Sequence, residues 1–127
     1  MVLGLWKKTP KLEAQFSPTL AVARELKKEV AVAGELVVRN LGGAADLSDL
    51  ETVLVAGGTR RIDLDLPAAW LGAQRIPPGG ELRAIVAWTV ALAAPMRASM
   101  AEIQLNTTAG GRRAPLCLSN KFPLANE

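Results

Sequence analysis

The chain has 127 residues, of which 50% are hydrophobic and 21% are charged, and its formal net charge at pH 7 is +3. A chain of this length and composition can bury a core of its own as one domain, which excludes the disordered class of proteins. It contains no His and a single Cys, Cys117, so one chain cannot supply a Ser–His or Cys–His catalytic pair, a common zinc site or an internal disulfide.

The sequence shows neither a secretion signal nor a membrane span. In residues 1–8 the apolar residues precede the basic ones, which is the reverse of the order in a signal peptide. The longest uncharged run, residues 84–96, is too short to cross a bilayer as a helix. We therefore expect a cytoplasmic protein.

Apolar and polar residues alternate along most of the chain, which is typical of strands with one buried face. The clearest example is residues 61–66, where Ile62, Leu64 and Leu66 alternate with charged residues. The alternation predicts strands at residues 11–16, 29–39, 47–55, 61–66, 86–92, 101–107 and 114–118. Turns rich in Gly, Pro and Asn separate them, at residues 40–43, 57–59, 77–80 and 110–111.

Seven or eight short strands with regular turns predict an all-β fold, an antiparallel β-sandwich of the immunoglobulin-like kind. The polar stretch Arg24–Lys28 is expected to connect the two sheets. Trp88 is expected in the core, because it shares a strand face with Val86, Val90 and Leu92.

Three segments follow one another in an order that resembles the bacterial sporulation-control protein family, whose members are relatives of arrestins. The first is Gly34–Gly43, followed by spaced aliphatic residues at 47, 50 and 54. The second is Ile76–Glu81, followed by the strand at 86–92 and by Pro95. The third is the strand Ala101–Thr107, and Leu5–Lys8 is similar to the family's apolar and basic N-terminus.

The resemblance implies a single arrestin-like β-sandwich over residues 1–127, with an N-terminal apolar and basic segment at residues 1–10. Members of the family typically carry two such domains, so it also implies that the second is missing, supplied by another chain or replaced by self-association. The family offers no catalytic residue to transfer, and we expect neither a metal nor a cofactor. We therefore expect a non-enzymatic protein-interaction or scaffold module, regulatory in stress or development.

Candidate partner contacts come from an apolar N-terminal stretch and from paired basic residues. As an alternative function, the basic pairs could bind nucleic acid or a membrane surface. Two Phe and no Tyr are available for base stacking, which argues against nucleic acid, and a membrane contact would be peripheral at most. The candidate contact residues are Leu3, Leu5, Trp6, Lys7, Lys8, Arg60, Arg61, Arg112 and Arg113.

Self-association as a homodimer is also expected, because a sandwich leaves edge strands with unpaired backbone groups. Lys11 and Glu13 could protect the first strand, whereas Val53 and Val55 make another strand apolar on both faces. Sheet edges and the N-terminal segment are the candidate contacts in the dimer, and a two-fold symmetric contact is the commonest arrangement.

The remaining candidate sites are interpreted as structural. Residues Asp46, Asp49 and Glu51 could offer oxygens to calcium, but their spacing is not that of an EF-hand loop, and Asp46 is expected to cap a turn. No general acid accompanies Asp63 and Asp65. Cys117 is expected to point away from its two Leu neighbours and to have a purely structural role.

Overall fold

The computed structural model describes residues 11–43, 45–47, 50–58, 60–67, 70, 74–97, 99–107 and 114–127. In this part of the chain the regular elements are eleven β-strands and no α-helix, so no helix there could cross a membrane. The strands are β1 (Leu12–Arg24), β2 (Glu29–Asn40), β3 (Ala45–Leu47), β4 (Glu51–Ala56), β5 (Arg60–Leu64), β6 (Gln74–Ile76), β7 (Glu81–Ala91), β8 (Met100–Thr107), β9 (Ala114–Leu118), β10 (Phe122–Pro123) and β11 (Ala125–Asn126).

The predicted all-β sandwich is confirmed. One sheet has the order β11-β1-β2-β7, and the other has the order β10-β8-β4-β5 with β9 also paired to β8. Neighbouring strands are antiparallel except β1 and β11, and β3 and β6 form a separate two-stranded ribbon. Each of the seven strands of five or more residues overlaps one of the predicted strands, and the other four strands are very short.

The core lies between the two sheets and contains the apolar residues that alternate along each strand. Phe16 of β1 is at its centre: its ring centroid lies 5.0 Å from that of Phe122 and 6.4 Å from that of Trp88. Phe122 belongs to the second sheet and Trp88 to the first, so this aromatic cluster joins the two sheets. The other large, fully buried side chains include Leu36, Leu54, Ile103 and Leu105.

The expected crossover at Arg24–Lys28 is wrong, because this stretch is a hairpin turn within one sheet. β1 continues to Arg24, and β2 begins at Glu29 and pairs with β1 along its whole length. The pairing shifts register between Pro18 and Leu20, and such a bulge changes which residues face the core. The shift breaks the period of two, which explains why the sequence predicts only the first part of β1.

The strand expected at residues 47–55 is two separate elements. β3 pairs with β6, whereas β4 pairs with β5 on one side and with β8 on the other. Val53 and Val55 therefore lie on a central strand, where they are 1% and 6% exposed. The expectation that this strand offers an open apolar edge is wrong.

Gly34→Ala is expected to destabilise the fold by about 3 kcal/mol, at the upper end of the usual cost of overpacking. A Cβ on Gly34 would collide with the carbonyl oxygen of Ser17, and it would lie 2.8 Å from the Cα of Pro18. Both are backbone atoms at the bulge, so they cannot turn away as a side chain would. Urea denaturation measures the loss, and a loss below about 0.5 kcal/mol would contradict this account.

The matched control for Gly34 is Gly58→Ala in the turn after β4. A Cβ there has open space around it, and only the positive φ of 79° opposes the substitution. The expected cost is about 1 kcal/mol, from backbone conformation alone.

Candidate functional site

The open edge of β7 is the candidate functional site. β7 is the last strand of its sheet, and it pairs with β2 without interruption from Glu81 opposite Arg39 to Ala91 opposite Glu29. In the part of the chain that the structure describes, no strand pairs with its other side. The result is a straight edge of eleven residues without a bulge.

Two hydrogen bonds show which residues of β7 turn their backbone groups towards the open side. The amide of Asn40 donates to the carbonyl of Gly80 at 2.9 Å, and the amide of Leu92 donates to the carbonyl of Lys28 at 2.7 Å. Both bonds continue the β2–β7 register, and hydrogen-bonded pairs alternate along an antiparallel ladder. Even-numbered residues of β7 therefore bond β2, whereas the backbone groups of Arg83, Ile85, Ala87, Thr89 and Ala91 face outward.

The side chains along this edge lack the usual features that prevent strands from pairing. Natural edge strands are commonly blocked by Lys and other charges, by Pro or by a bulge. From Ala84 to Ala91 the strand has no charge and no Pro, and Ile85 is 79% exposed on the outer face. On the inner face of the same strand, the side chains of Val86 and Trp88 are buried.

A groove of about 550 Å³ runs beside the edge. One wall is β7 from Ile85 to Ala91. The other is the end of β5 and the chain that follows it, which contribute Asp63, Asp65, Leu66 and Pro67. The indole Nε1–H of Trp88 donates to the carbonyl oxygen of Asp65 at 2.6 Å. This bond joins the two walls of the groove.

The chemistry of the groove suits binding of an extended chain. Among its described lining residues, polar side chains come only from Asp63, Asp65 and Thr89, and the other side chains are apolar. The most distinctive groups are the outward backbone N–H and C=O groups of β7, which can form a β-ladder with an added strand.

The structure describes two of the predicted contact residues, Arg60 and Arg61. They are consecutive on β5, so their side chains start on opposite faces of the sheet. One Nη of Arg60 donates to the carbonyl of Ala94 at 3.4 Å, and Arg61 is exposed. The other predicted contacts lie outside the described residues: Leu3, Leu5, Trp6, Lys7, Lys8, Arg112 and Arg113.

Of the acidic residues considered for calcium, the structure describes the backbone of Asp46 and Glu51, which lie on different sheets. The backbone of Asp46 lies within β3, in register with Arg75 of β6, and not in the turn expected there. Glu51 begins β4 opposite Asn106, and Asp49 lies outside the described residues. Among the described residues, no group of three or more His, Cys, Asp or Glu side chains could hold a metal ion.

Cys117 lies on β9 opposite Leu105 and packs, partly buried, against the core. Burial raises the pKa of its thiol to about 11. Because the thiolate is the reactive form of cysteine, this environment favours the structural interpretation of Cys117.

Cys117 is therefore expected to react with iodoacetamide at pH 8 about 100-fold more slowly in the folded protein than in the urea-unfolded chain. Its pKa rises from 9.0 to about 11, and each unit lowers the thiolate fraction about tenfold below both values. Mass spectrometry of the alkylated chain measures the two rates. Equal rates would show that the thiol is open to solvent.

Sheet edges are among the candidate contacts predicted from the sequence, but the sequence does not single out the edge of β7. The signal present there is the uncharged run that begins at residue 84, interpreted above as too short for a membrane span and as a strand with Trp88 in the core. An uncharged strand fits a central position as well as an edge, and the choice depends on which strands pair with it.

No protein-family model and no curated protein matches this chain. One similar X-ray structure is a Northeast Structural Genomics Consortium target named SoR45, with 10% identity and a TM-score of 0.43, covering 94% of this chain and 86% of that one. Another is the putative ApaA protein from Bordetella pertussis, with 14% identity and a TM-score of 0.43, covering 94% of this chain and 93% of that one.

Proposed function

We propose that this protein is a non-enzymatic interaction module that binds an extended protein segment along the open edge of β7. The observation that supports this function is the run of outward backbone groups from Arg83 to Ala91, on a strand without charge or Pro from residue 84 onward. In this mode of recognition, backbone hydrogen bonds provide affinity and the pockets for alternate side chains provide selectivity.

The groove beside β7 gives the expected preference of the site. Alternate side chains of an added strand would enter it, since side chains along a strand point to opposite faces. There they would meet Leu66, Pro67 and the edge of Trp88. We expect small or medium apolar side chains at these positions, and polar side chains at the positions that face solvent.

The biological setting is also part of the proposal. The resemblance to the sporulation-control family supports a regulatory or scaffold role in stress or development. A cytoplasmic location is part of the same proposal. For the alternative, nucleic-acid or membrane binding, Arg60 and Arg61 offer no joint surface. Salt-dependent retention on heparin that is lost in the variant with both Arg60→Ser and Arg61→Ser would favour that alternative.

The test uses a displayed library of random linear peptides, selected on the immobilised protein at low micromolar concentration. We expect the selected peptides to protect the amides of Ile85, Ala87 and Thr89 from hydrogen exchange, as measured by NMR. Ala87→Pro removes one outward N–H and leaves the β2 ladder intact, so it should weaken binding at least about tenfold, or ~1.4 kcal/mol.

The control for the peptide experiment is Leu41→Lys, which changes an exposed apolar residue after β2, beyond the β7 edge. Binding to this variant should equal binding to the original protein. If the selected peptides leave the outward amides of β7 unprotected, or bind Ala87→Pro equally well, the site does not lie along β7.

A further inference from the structure

We infer that the open edge of β7 pairs with β7 of a second copy of this chain, antiparallel and about a two-fold axis at Ala87. This inference rests on the proposed function, because it names the strand that occupies the same edge. The two four-stranded sheets would then form one continuous sheet across the dimer.

The pattern of outward groups restricts the possible registers. The outward-facing residues of β7 are odd-numbered, so an added copy must pair odd-numbered residues with odd-numbered ones. With the axis at Ala87, that residue lies opposite its own copy, Ile85 lies opposite Thr89, and Arg83 lies opposite Ala91. The five outward residues from 83 to 91 then have partners, and Glu81, the sixth odd-numbered residue of β7, lies beyond the end of the ladder.

The charges along β7 are compatible with this pairing. From Ala84 to Ala91 there is no charged residue, so no like charges face each other in the ladder. Arg83 already pairs with Glu35 at 2.7 Å and with Glu81 at 3.4 Å within its own sheet. In the dimer it would lie opposite the uncharged Ala91 at the end of the ladder.

The absence of blocking features favours a second copy over an unrelated peptide. An unprotected edge invites uncontrolled pairing with other chains unless a partner covers it. A second copy is present wherever the first is, and a closed two-fold contact uses the β7 edges of both copies, so neither β7 edge remains open. Ile85 would also lose part of its exposure, because a Thr side chain would stand opposite it.

The size of the contact sets its expected strength. A ladder of nine residues along one edge is small compared with stable dimer interfaces, which bury about 1,200–2,000 Å² in total. We therefore expect a reversible dimer whose population rises with protein concentration in the micromolar range.

The first experiment is sedimentation velocity across a micromolar concentration series. Ala87→Lys and Ala87→Asp each place two like charges opposite each other at the axis, so each variant alone should dimerise at least tenfold more weakly than the original chain. An equal mixture of the two should recover dimer, because opposite charges then meet. Leu41→Lys, the matched control, should dimerise like the original chain.

The second experiment tests the register by disulfide formation in a Cys117→Ser background. Ala87→Cys should oxidise to a covalent dimer much faster than Ala91→Cys, because only residue 87 meets its own copy. Both positions are exposed Ala residues on the same strand, so random collision would oxidise them equally.

The inference is overturned if the original chain stays monomeric throughout the series, or if its dimer is unaffected by Ala87→Lys. It is also overturned if the mixture recovers no dimer, or if both Cys variants oxidise at the same rate. A monomer that still binds selected peptides along β7 would overturn the second copy as the occupant and leave the proposed function standing. If the peptides also fail, both are wrong.

Discussion

Trp88→Ala is expected to lower the free energy of unfolding by about 3–5 kcal/mol, the usual cost of removing a large buried aromatic side chain. Trp88 is 7% exposed, and its ring packs near that of Phe16 in the aromatic cluster that joins the two sheets. Its Nε1–H also bonds the carbonyl of Asp65 across the sandwich. The substitution therefore removes both core contacts and a link between the walls of the groove.

Trp88→Phe separates these two contributions. It keeps most of the apolar contact and loses the 2.6 Å hydrogen bond to Asp65, so the expected cost is about 1–2 kcal/mol. Urea denaturation followed by circular dichroism measures both variants without relying on tryptophan fluorescence. A loss below about 1 kcal/mol for Trp88→Ala would mean that the ring contributes little to the core.

The sequence predicts best those strands whose environment differs between their two faces. In β5, Ile62 and Leu64 are buried while Arg61 and Asp63 are exposed, and in β7 Val86 and Trp88 are buried between exposed neighbours. For these strands the alternation follows directly from one core-facing side and one solvent-facing side.

The alternation of apolar and polar residues fails where both faces of a strand are buried, or where a bulge shifts the register. β4 lies between β5 and β8 and is buried on both faces, and on β8 the polar Gln104 and Asn106 are buried as well as the apolar residues. The side-chain Nε2 of Gln104 donates to the side-chain Oδ1 of Asn106 at 2.8 Å. A hydrogen-bonded polar pair of this kind can be buried, so polarity did not indicate exposure at these positions.

The candidate site depends on information that local sequence does not contain. The sequence of residues 84–91 fits a central strand as well as an edge strand. The difference depends on pairing: β2, about fifty residues earlier in the chain, pairs with one side of β7, and no described strand pairs with the other. The acidic residues at 46 and 51 are close in sequence but lie on different sheets. Strand order decides both cases.

The sequence also did not indicate the structural role of Asn40, because this residue lies in a segment interpreted as a turn. It is the last residue of β2 and is completely buried. Its Nδ2 donates to the carbonyls of Gly43 at 2.7 Å and Ile76 at 2.9 Å, and its Oδ1 accepts from the amide of Gly42 at 3.0 Å. One side chain thus holds the turn after β2 against the end of β6.

Asn40→Ala is expected to destabilise the protein by about 3–4 kcal/mol. Each buried backbone group that loses its partner costs about 1–3 kcal/mol, reduced where water can replace the side chain. Urea denaturation measures the loss. A cost near 0.5 kcal/mol would show that the backbone bonds from Asn40 to Gly80 and from Gly79 to Asn40 hold these turns without the side chain.

Asn40→Asp tests whether the donors are the essential part of this side chain. The substitution keeps an acceptor for Gly42 but places a carboxylate against the carbonyl oxygens of Gly43 and Ile76. Burial and these oxygens disfavour the charged form, so the pKa of the new carboxyl should be higher in the folded state than in the unfolded state. The folded state then binds the proton more tightly, and the variant should become more stable relative to the original protein as the pH falls from 7 towards 4. Only the protonated form of the new carboxyl can donate a hydrogen bond in place of Nδ2. If the difference in stability between the variant and the original protein does not change over this pH range, the Nδ2 contacts contribute little.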